Sequence, residues 1–338
     1  MSEMLVVHSA AQLVRSYPDV PFDTTKAPEA ADSIVSRTAS ALAEAGYTPQ
    51  LLRETRLRSR AAMAEAGLIP AALLREPGQA AVFMPGEGGA AVLAGGAEHV
   101  TILSRRPGLA LAAVAEDCFR VDDCLSRSVR FAFDEQLGYL CSRPDMLGTG
   151  LRVTVRLHLP LMRMRGGMEE ISAAVREMGV GAEAVAVCSG DTGSDLVDVF
   201  NLTALGSTEE MLIRQVEQAA LTLCARENAL RSTLLKGKND EPDALRLQDR
   251  ISRALPVMRA ARLMEESEFT ALWSALRLGA ETKRHGVPLE TVDALLQQGL
   301  TGHLWSYAEE ESTGEMLNAC RADRVRELLS AAPRTKRA

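Results

Sequence analysis

Aromatic side chains are scarce here: Phe, Trp and Tyr make up only 4% of 338 residues. A core must therefore be assembled from Ala, Leu and Val, which the 46% hydrophobic content supplies. The six cysteines (Cys118, Cys124, Cys141, Cys188, Cys224 and Cys320) are scattered, with no C-x-x-C pair. That excludes a zinc ribbon and a disulfide framework, and reduced thiols are the expectation. No apolar run reaches transmembrane length, and the start, MSEMLVVHSAAQLVRSYPDV, lacks a basic stretch followed by a long apolar one. A cytoplasmic protein with no membrane association is expected. Positive charge is not in excess either: the formal net charge of −7 argues against nucleic acid as a partner while leaving room for a local basic pocket. No internal repeat or low-complexity tract is visible.

What is present divides by period. Residues 28–76 carry Ala and Leu at helical spacing, with Gly46 and Gly67 as stops. Turn signals run from Pro77 to Gly89, and short strands follow at Ala80–Met84, Ala90–Leu93 and His99–Ser104. The change of period places a boundary near 78, giving a helical N-terminal domain (1–78) and a larger domain (79–338) with a helical C-terminal part. Within the second, the pattern predicts helices over 108–132 and 168–178, and strands at Ala182–Cys188 and Asp195–Thr203. The stretch Ser207-Thr-Glu-Glu210 reads as a capping box opening a helix that runs to about Lys236. The remainder is helical, broken near Pro242, Pro256 and Pro288. Helices, then antiparallel strands, then helices describe an α+β chain, with a large antiparallel sheet flanked by helices.

The most specific wording lies at Gly138–Pro160, GYLCSRPDMLGTGLRVTVRLHLP. A Gly148-Thr-Gly-Leu-Arg152 turn runs into a strand alternating Val153, Val155 and Leu157 against Thr154, Arg156 and His158. Free backbone N–H groups in such a turn, with an arginine at the strand start, suit an anion. This stretch resembles the phosphate-binding segment of the ATP:guanido phosphotransferases (phosphagen kinases), and within them the bacterial protein-arginine kinases. Val121-Asp-Asp123, Phe131–Leu140, Glu98-His99, Phe200-Asn-Leu202, Leu304-Trp-Ser-Tyr307 and Arg326-Glu-Leu-Leu329 carry the likeness across residues 80–330. It implies the phosphagen-kinase fold, ATP with Mg²⁺ as cosubstrate, and a homodimer. It also implies a zinc-binding activator protein and the Clp protease machinery as partners.

The resemblance assigns Arg152, Gly148, Thr149, Gly150 and His99 to the nucleotide phosphates, and Glu98 and Asp191 to the acceptor guanidinium. No metal-ligand cluster is expected. Several family residues are replaced. The Ser-x-Arg-x-Arg strand falls at Val6–Arg15, without its two arginines. The arginine after the Asp-His segment is Thr101, and the one before the Gly-Glu loop is Ala186. The second Glu of Glu-Glu-Asp-His is Ala97, and the reactive Cys of the Cys-Pro pair is Arg143. One arginine at a phosphoryl-transfer transition state is worth roughly 10³–10⁵ in rate. The expectation is a catalytically impaired relative acting as a regulatory or scaffold subunit. Two other readings are an active arginine or guanidino kinase with a rebuilt site, and a nucleotide- or anion-binding sensor. In the rebuilt site Arg143, Arg105, Arg106 or Arg156 would replace lost charge; alternatively Arg143, facing Asp191, would block or fill the acceptor site with its own guanidinium as a bound substrate would.

Several residues also have plain structural readings. His99 and His158 read equally as satisfied structural histidines, Asp122-Asp123 as a solvated pair, and Arg156 as a solvated strand residue. In the C-terminal stretch Leu317-Asn-Ala-Cys-Arg-Ala322, the Arg-Asp half of the phosphoarginine-binding motif is missing, and Arg321 and Arg324 are expected on an exposed helix face.

Overall fold

In a computed structural model, the structure describes residues 3–22, 28–86, 89–186, 195–236, 242–307 and 313–331. The chain enters through β1 (Val6–Arg15) and α1 (Pro28–Leu42), then β2 (Thr48–Leu51) and α2 (Leu57–Glu65). Next come β3 (Ala81–Met84), β4 (Ala91–Ala94), β5 (Val100–Pro107) and α3 (Leu111–Ser126). A small ribbon of β6 (Phe133–Asp134) and β7 (Gly138–Tyr139) precedes β8 (Leu151–His158), α4 (Pro160–Arg165) and α5 (Gly167–Arg176). After β9 (Val180–Ala184) and β10 (Leu196–Asn201) all is helical: α6 (Glu209–Lys236), α7 (Pro242–Ala260), α8 (Glu266–Glu281), α9 (Leu289–Gly299), α10 (Thr301–Tyr307) and α11 (Glu315–Ala331).

One eight-stranded sheet organises these elements, in the order β2-β3-β4-β5-β1-β8-β10-β9, and every pairing is antiparallel. The α+β expectation holds. The helical reading of the first 78 residues needs correction, because β1 and β2 belong to the sheet. Strand β1 is its centre, and a single apolar core runs from Leu5 to Cys224 across position 78. Pro49 suits β2 to the sheet edge, where its missing N–H costs no ladder bond. The break expected near Pro256 is also absent: α7 continues through it and buries Ala254 and Met258. The cap of α6 lies one residue later than the box implies, with Thr208 Oγ1 accepting from the Met211 N–H at 3.3 Å.

Alternation along each strand divides the sheet into two faces. Ala11, Leu13, Ile102, Val153, Val155 and Val199 point into the core beneath α1, α3, α5 and α6. The opposite face is covered in two places. At the β3–β4 end, Leu93 and Val82 pack under Leu52 and Ile69, with Met63 of α2 beside them. At the far end of β8 and β10, Leu196 packs into the C-terminal helices through Trp273, Met258 and Phe269. Between the two covers the face is open.

The C-terminal helices are fastened by buried charge. His158 at the end of β8 faces the Glu281 carboxylate at 3.3 Å and Ser274 Oγ at 2.9 Å. Arg231 of α6 reaches Glu281 at 2.8 Å, and Arg277 also pairs with it. Burial works to raise the Glu281 pKa, but His158, Arg277 and Arg231 outweigh it and hold the carboxyl at about 2. The stability this carboxylate contributes is therefore complete above about pH 4.5 and lost as pH falls toward 2. Glu281→Gln is expected to destabilise the protein at neutral pH by about 3–5 kcal/mol, since it leaves buried arginines uncompensated. It should also flatten the dependence of stability on pH between about 4.5 and 2, read from urea unfolding at a series of pH values.

Candidate functional site

The open face is built from β1, β5, β8 and β10. Register across β1 sets its rows: Gln12 pairs with Arg152 and Leu103, Ala10 with Thr154 and Arg105, and His8 with Arg156 and Pro107. Strand β10 adds Asp198 beside Arg156 and Phe200 beside Thr154. The resulting cleft holds about 190 Å³, with Ala66 and Gly67 after α2 closing one side.

Each basic group in the cleft is held differently. Arg156 is gripped through both Nε (2.8 Å) and Nη2 (2.7 Å) by Asp198. The plain reading of Arg156 as a solvated residue is corrected, since it is a half-buried member of the cleft wall. Arg152 donates Nη2 to Asp145 at 2.6 Å and lies over the Phe200 ring at 4.8 Å, while its buried Nε has no partner. Desolvation, then repulsion from Arg143, lower its pKa from the ordinary arginine value. Arg105 is exposed and forms no ion pair or hydrogen bond among the described residues; its guanidinium rests on Gly67, where a Cβ would meet Nη2 at 2.2 Å. His8 is stripped of charge by burial and by the fields of Arg156 and Arg105, which pull its pKa to about 2.

The Gly148–Gly150 turn sits at the head of this face, but most of its N–H groups are already engaged. The Gly148 N–H donates to Tyr139 O (3.3 Å), that of Thr149 to Ala204 O (3.4 Å), and that of Leu151 to Thr149 Oγ1 (3.2 Å). The turn is tied down from the core side by Arg15. That side chain, 2% exposed, donates Nη1 to Thr149 O at 3.0 Å, is paired with Asp122 of α3, and stacks on the Tyr139 ring at 3.5 Å. Asp122 is thus the buried partner of Arg15 and not a solvated acid. The left-handed Gly150 lets the chain pass under Val14, where a Cβ would come 2.6 Å from its carbonyl oxygen.

The remaining sequence-derived residues lie around this turn. Arg143 donates to Asp145 through Nε (3.1 Å) and Nη2 (2.5 Å), so Arg143 and Arg152 share one carboxylate. Burial works to raise the Asp145 pKa, yet the Arg143 hydrogen bond and both guanidinium charges bring it below the usual carboxylate range. Glu98, 5% exposed, accepts from the Ser142 N–H (3.2 Å) and Oγ (2.6 Å), and so holds the Cys141–Arg143 loop. His99 is buried in the loop after β1: its Nδ1 accepts from the Tyr17 N–H at 3.0 Å, and its Nε2 meets Pro21 O at 2.9 Å. Asp191 lies outside the described residues. Asp145 and Asp198 carry no sequence signal by motif: the turn at Pro144–Met146 brings Asp145 to Arg143 and Arg152, and the pairing of β10 with β8 brings Asp198 to Arg156.

One further expectation is corrected by geometry. Arg321 is buried, 1% exposed, with Gly299 O, Met264 O, Asn318 Oδ1 and Thr301 Oγ1 as acceptors. It joins α9, α10, α11 and the turn before α8 and is not on an exposed face. Among the described residues no group of three His, Cys, Asp or Glu could hold a metal ion. The cysteines described are all free, and no described helix is long and apolar enough to cross a membrane.

Residues 32–230, more than half of the chain, match the family "ATP:guanido phosphotransferase, C-terminal catalytic domain". The chain belongs to the ATP:guanido phosphotransferases. Residues 244–338 match the "Protein-arginine kinase McsB C-terminal domain". Among similar proteins, the protein-arginine kinase of Caldanaerobacter subterraneus subsp. tengcongensis is 25% identical over 300 residues, covering 87% of this chain and 88% of the relative. That of Pelotomaculum thermopropionicum is 26% identical over 330 residues, covering 95% and 91%. That of Desulforamulus reducens is 29% identical over 284 residues, covering 82% and 78%. In fold, the chain is similar to a duplicated taurocyamine kinase from Schistosoma mansoni with bound transition state analog components. There the TM-score is 0.60 at 21% identity, over 74% of this chain and 37% of that one. It is also similar to a lombricine kinase, with TM-score 0.59 at 19% identity, over 72% of this chain and 70% of that one. These two likenesses bear on the fold alone, which is that of the phosphagen kinases.

The turn is a structural clamp in this member of the family. Gly150→Ala is expected to lower stability by about 1–3 kcal/mol, because it forces a Cβ into a left-handed position against Val14. Gly46→Ala, equally left-handed but with nothing within 4 Å, is the control, expected to cost less. Urea unfolding midpoints of the two variants check the difference.

Proposed function

We propose that this protein is a protein-arginine-kinase-like member of its family that has lost efficient phosphoryl transfer and works by binding. Its role would be that of a regulatory or scaffold subunit in the cytoplasm. The observation that carries the reading is the composition of the open face. The resemblance places two arginines within Val6–Arg15 and one at Thr101; the cleft-facing residues of that strand are His8, Ala10 and Gln12, and β-register sets Ala10 and Gln12 directly beside Arg105 and Arg152. Arg152 itself is engaged by Asp145, whose other guanidinium partner is Arg143.

These residues fit Mg²⁺-ATP poorly. A triphosphate needs several converging cations to offset its charge. Arg152 and Arg156 are each already matched by a carboxylate, and the cleft of about 190 Å³ is smaller than the roughly 300–1,000 Å³ that holds a drug-sized ligand. Losing three arginines worth roughly 10³–10⁵ each, even without additivity, removes most of a typical enhancement. The family resemblance supplies the proposed partners: a second copy of the chain, a zinc-binding activator and the Clp protease machinery.

A second reading, an active arginine or guanidino kinase with a rebuilt site, is favoured by one observation. Arg105 and Arg156 stand on the same open face as the missing arginines. In that reading Glu98 and Asp191 would hold the acceptor guanidinium. The two separate in an assay for phosphoarginine on a denatured protein substrate with Mg²⁺-ATP. No phosphoarginine above the enzyme-free background is the expected result. Transfer that disappears in Arg152→Ala would overturn the proposal.

A further inference from the structure

The arginines of the cleft have not simply been lost; they stand elsewhere on the same strands. Arg105 lies four residues along β5 from Thr101, and Arg156 four residues along β8 from Arg152, each about 13 Å at ~3.3 Å per residue. Strand β1 runs between them. Its Ala10 pairs with Arg105 on one side and Thr154 on the other, and the neighbouring row joins His8 to Arg156. With only a methyl group at Ala10, the floor between Arg105 and Arg156 is left low.

We propose that this displaced pair, Arg105 and Arg156 with the unpartnered Nε of Arg152 at the edge, forms a binding site for a phosphate-sized dianion. The ligand would be the head of a phosphorylated group and not a nucleotide. Five observations support it. The cavity, about 190 Å³, suits a small oxyanion. Arg105 forms no ion pair or hydrogen bond with a carboxylate among the described residues; burial and the Arg156 charge bring its pKa down to about 10 against the pull of Asp198, so it is still a cation at neutral pH with its donors open. Asp198 takes Nε and Nη2 of Arg156, which fixes the guanidinium plane and leaves Nη1 as a donor. Gly67 lets Arg105 lie flat against the backbone after α2, where any side chain would displace it. His8 beside them is neutral, so its ring can accept from or donate to an oxyanion without adding charge. The carboxylates of Asp198 and Asp145, which pair with Arg156 and Arg152, oppose an anion, and the unpaired Arg105 supplies the excess positive charge.

The inference rests on the reading of the cleft given above but fails separately from it. Phosphoryl transfer would end that reading and leave this site standing; absence of anion binding would end this one alone. The test is calorimetric titration of the full chain with inorganic phosphate, free phosphoarginine and Mg²⁺-ATP. Saturable binding of phosphate or phosphoarginine is expected, weakened at least tenfold in Arg105→Ala and in Arg105→Gln, neither of which breaks an ion pair of the fold. Tighter binding of phosphoarginine than phosphate would identify the source as a phosphorylated guanidine side chain; the reverse order would identify free phosphate. The proposal is overturned if neither anion binds saturably or if both Arg105 variants bind as the parent does. It is also overturned if Mg²⁺-ATP binds more tightly than either anion and is indifferent to Arg105.

Discussion

The pairing of β1 between β5 and β8 is the constraint on which this molecule depends. It fixes which residues of Val6–Arg15 face the core and which face the cleft, because a slip by one residue would exchange the two sets. With the observed register, Ala11 and Leu13 enter the core, and Arg15 reaches Asp122 and the Thr149 carbonyl. The same register delivers His8, Ala10 and Gln12 to the opposite side, against Arg105, Arg152 and Arg156. The function proposed and the fold are thus two faces of one strand. A substitution at 10 or 12 alters charge in the cleft at little cost to folding, whereas one at 11, 13 or 15 disturbs the core.

The C-terminal helices bear on the cleft from both sides. Through α8 they reach the end of β8 at His158, in a network of buried charge that tolerates no missing partner. Through α10 they reach α2: the Glu65 carboxylate accepts from the Gly302 and His303 N–H groups at 2.5 and 2.9 Å. Gly302 lets the backbones meet, since a Cβ there would lie 2.5 Å from the Ala61 carbonyl carbon. The chain just beyond Glu65, at Ala66 and Gly67, is the wall on which Arg105 rests. The segment matching the protein-arginine kinase C-terminal domain therefore helps position the cleft wall, while Arg321, its surviving motif arginine, is spent on holding α9, α10, α11 and the turn before α8 together.

The fold was legible wherever period and punctuation agreed. Val153, Val155 and Leu157 alternate cleanly, and the helix ending near Lys236 shows its start in the 207–210 stretch. Strand β2 was hidden because Thr48-Pro-Gln-Leu51 is short, carries proline and sits at an edge. Strand β1 was marked by resemblance more than by pattern, since its cleft-facing positions, His8, Ala10 and Gln12, show no regular polarity. Within the site, Arg152 and the glycine turn could be read directly. The ion pairs could not: Arg156 with Asp198 and Arg15 with Asp122 join residues whose proximity only sheet register or helix packing creates, and Arg152 meets Asp145 only through the fold of the turn between them. Arg321 illustrates the same limit, because four acceptors from α9, α10, α11 and the turn before α8 make burial affordable for a side chain that sequence places on a surface.

The central claim is spatial: positive charge in this cleft lies along the strands at Arg105 and Arg156, away from the end that holds Gln12 and Thr101. A crystal structure of the chain grown with phosphate tests it most directly. The account predicts the anion between Arg105 and Arg156, above the Ala10 methyl. Density for phosphate over the Gln12–Thr101 end instead, with Arg152 released from Asp145 to bind it and Arg105 uninvolved, would contradict it.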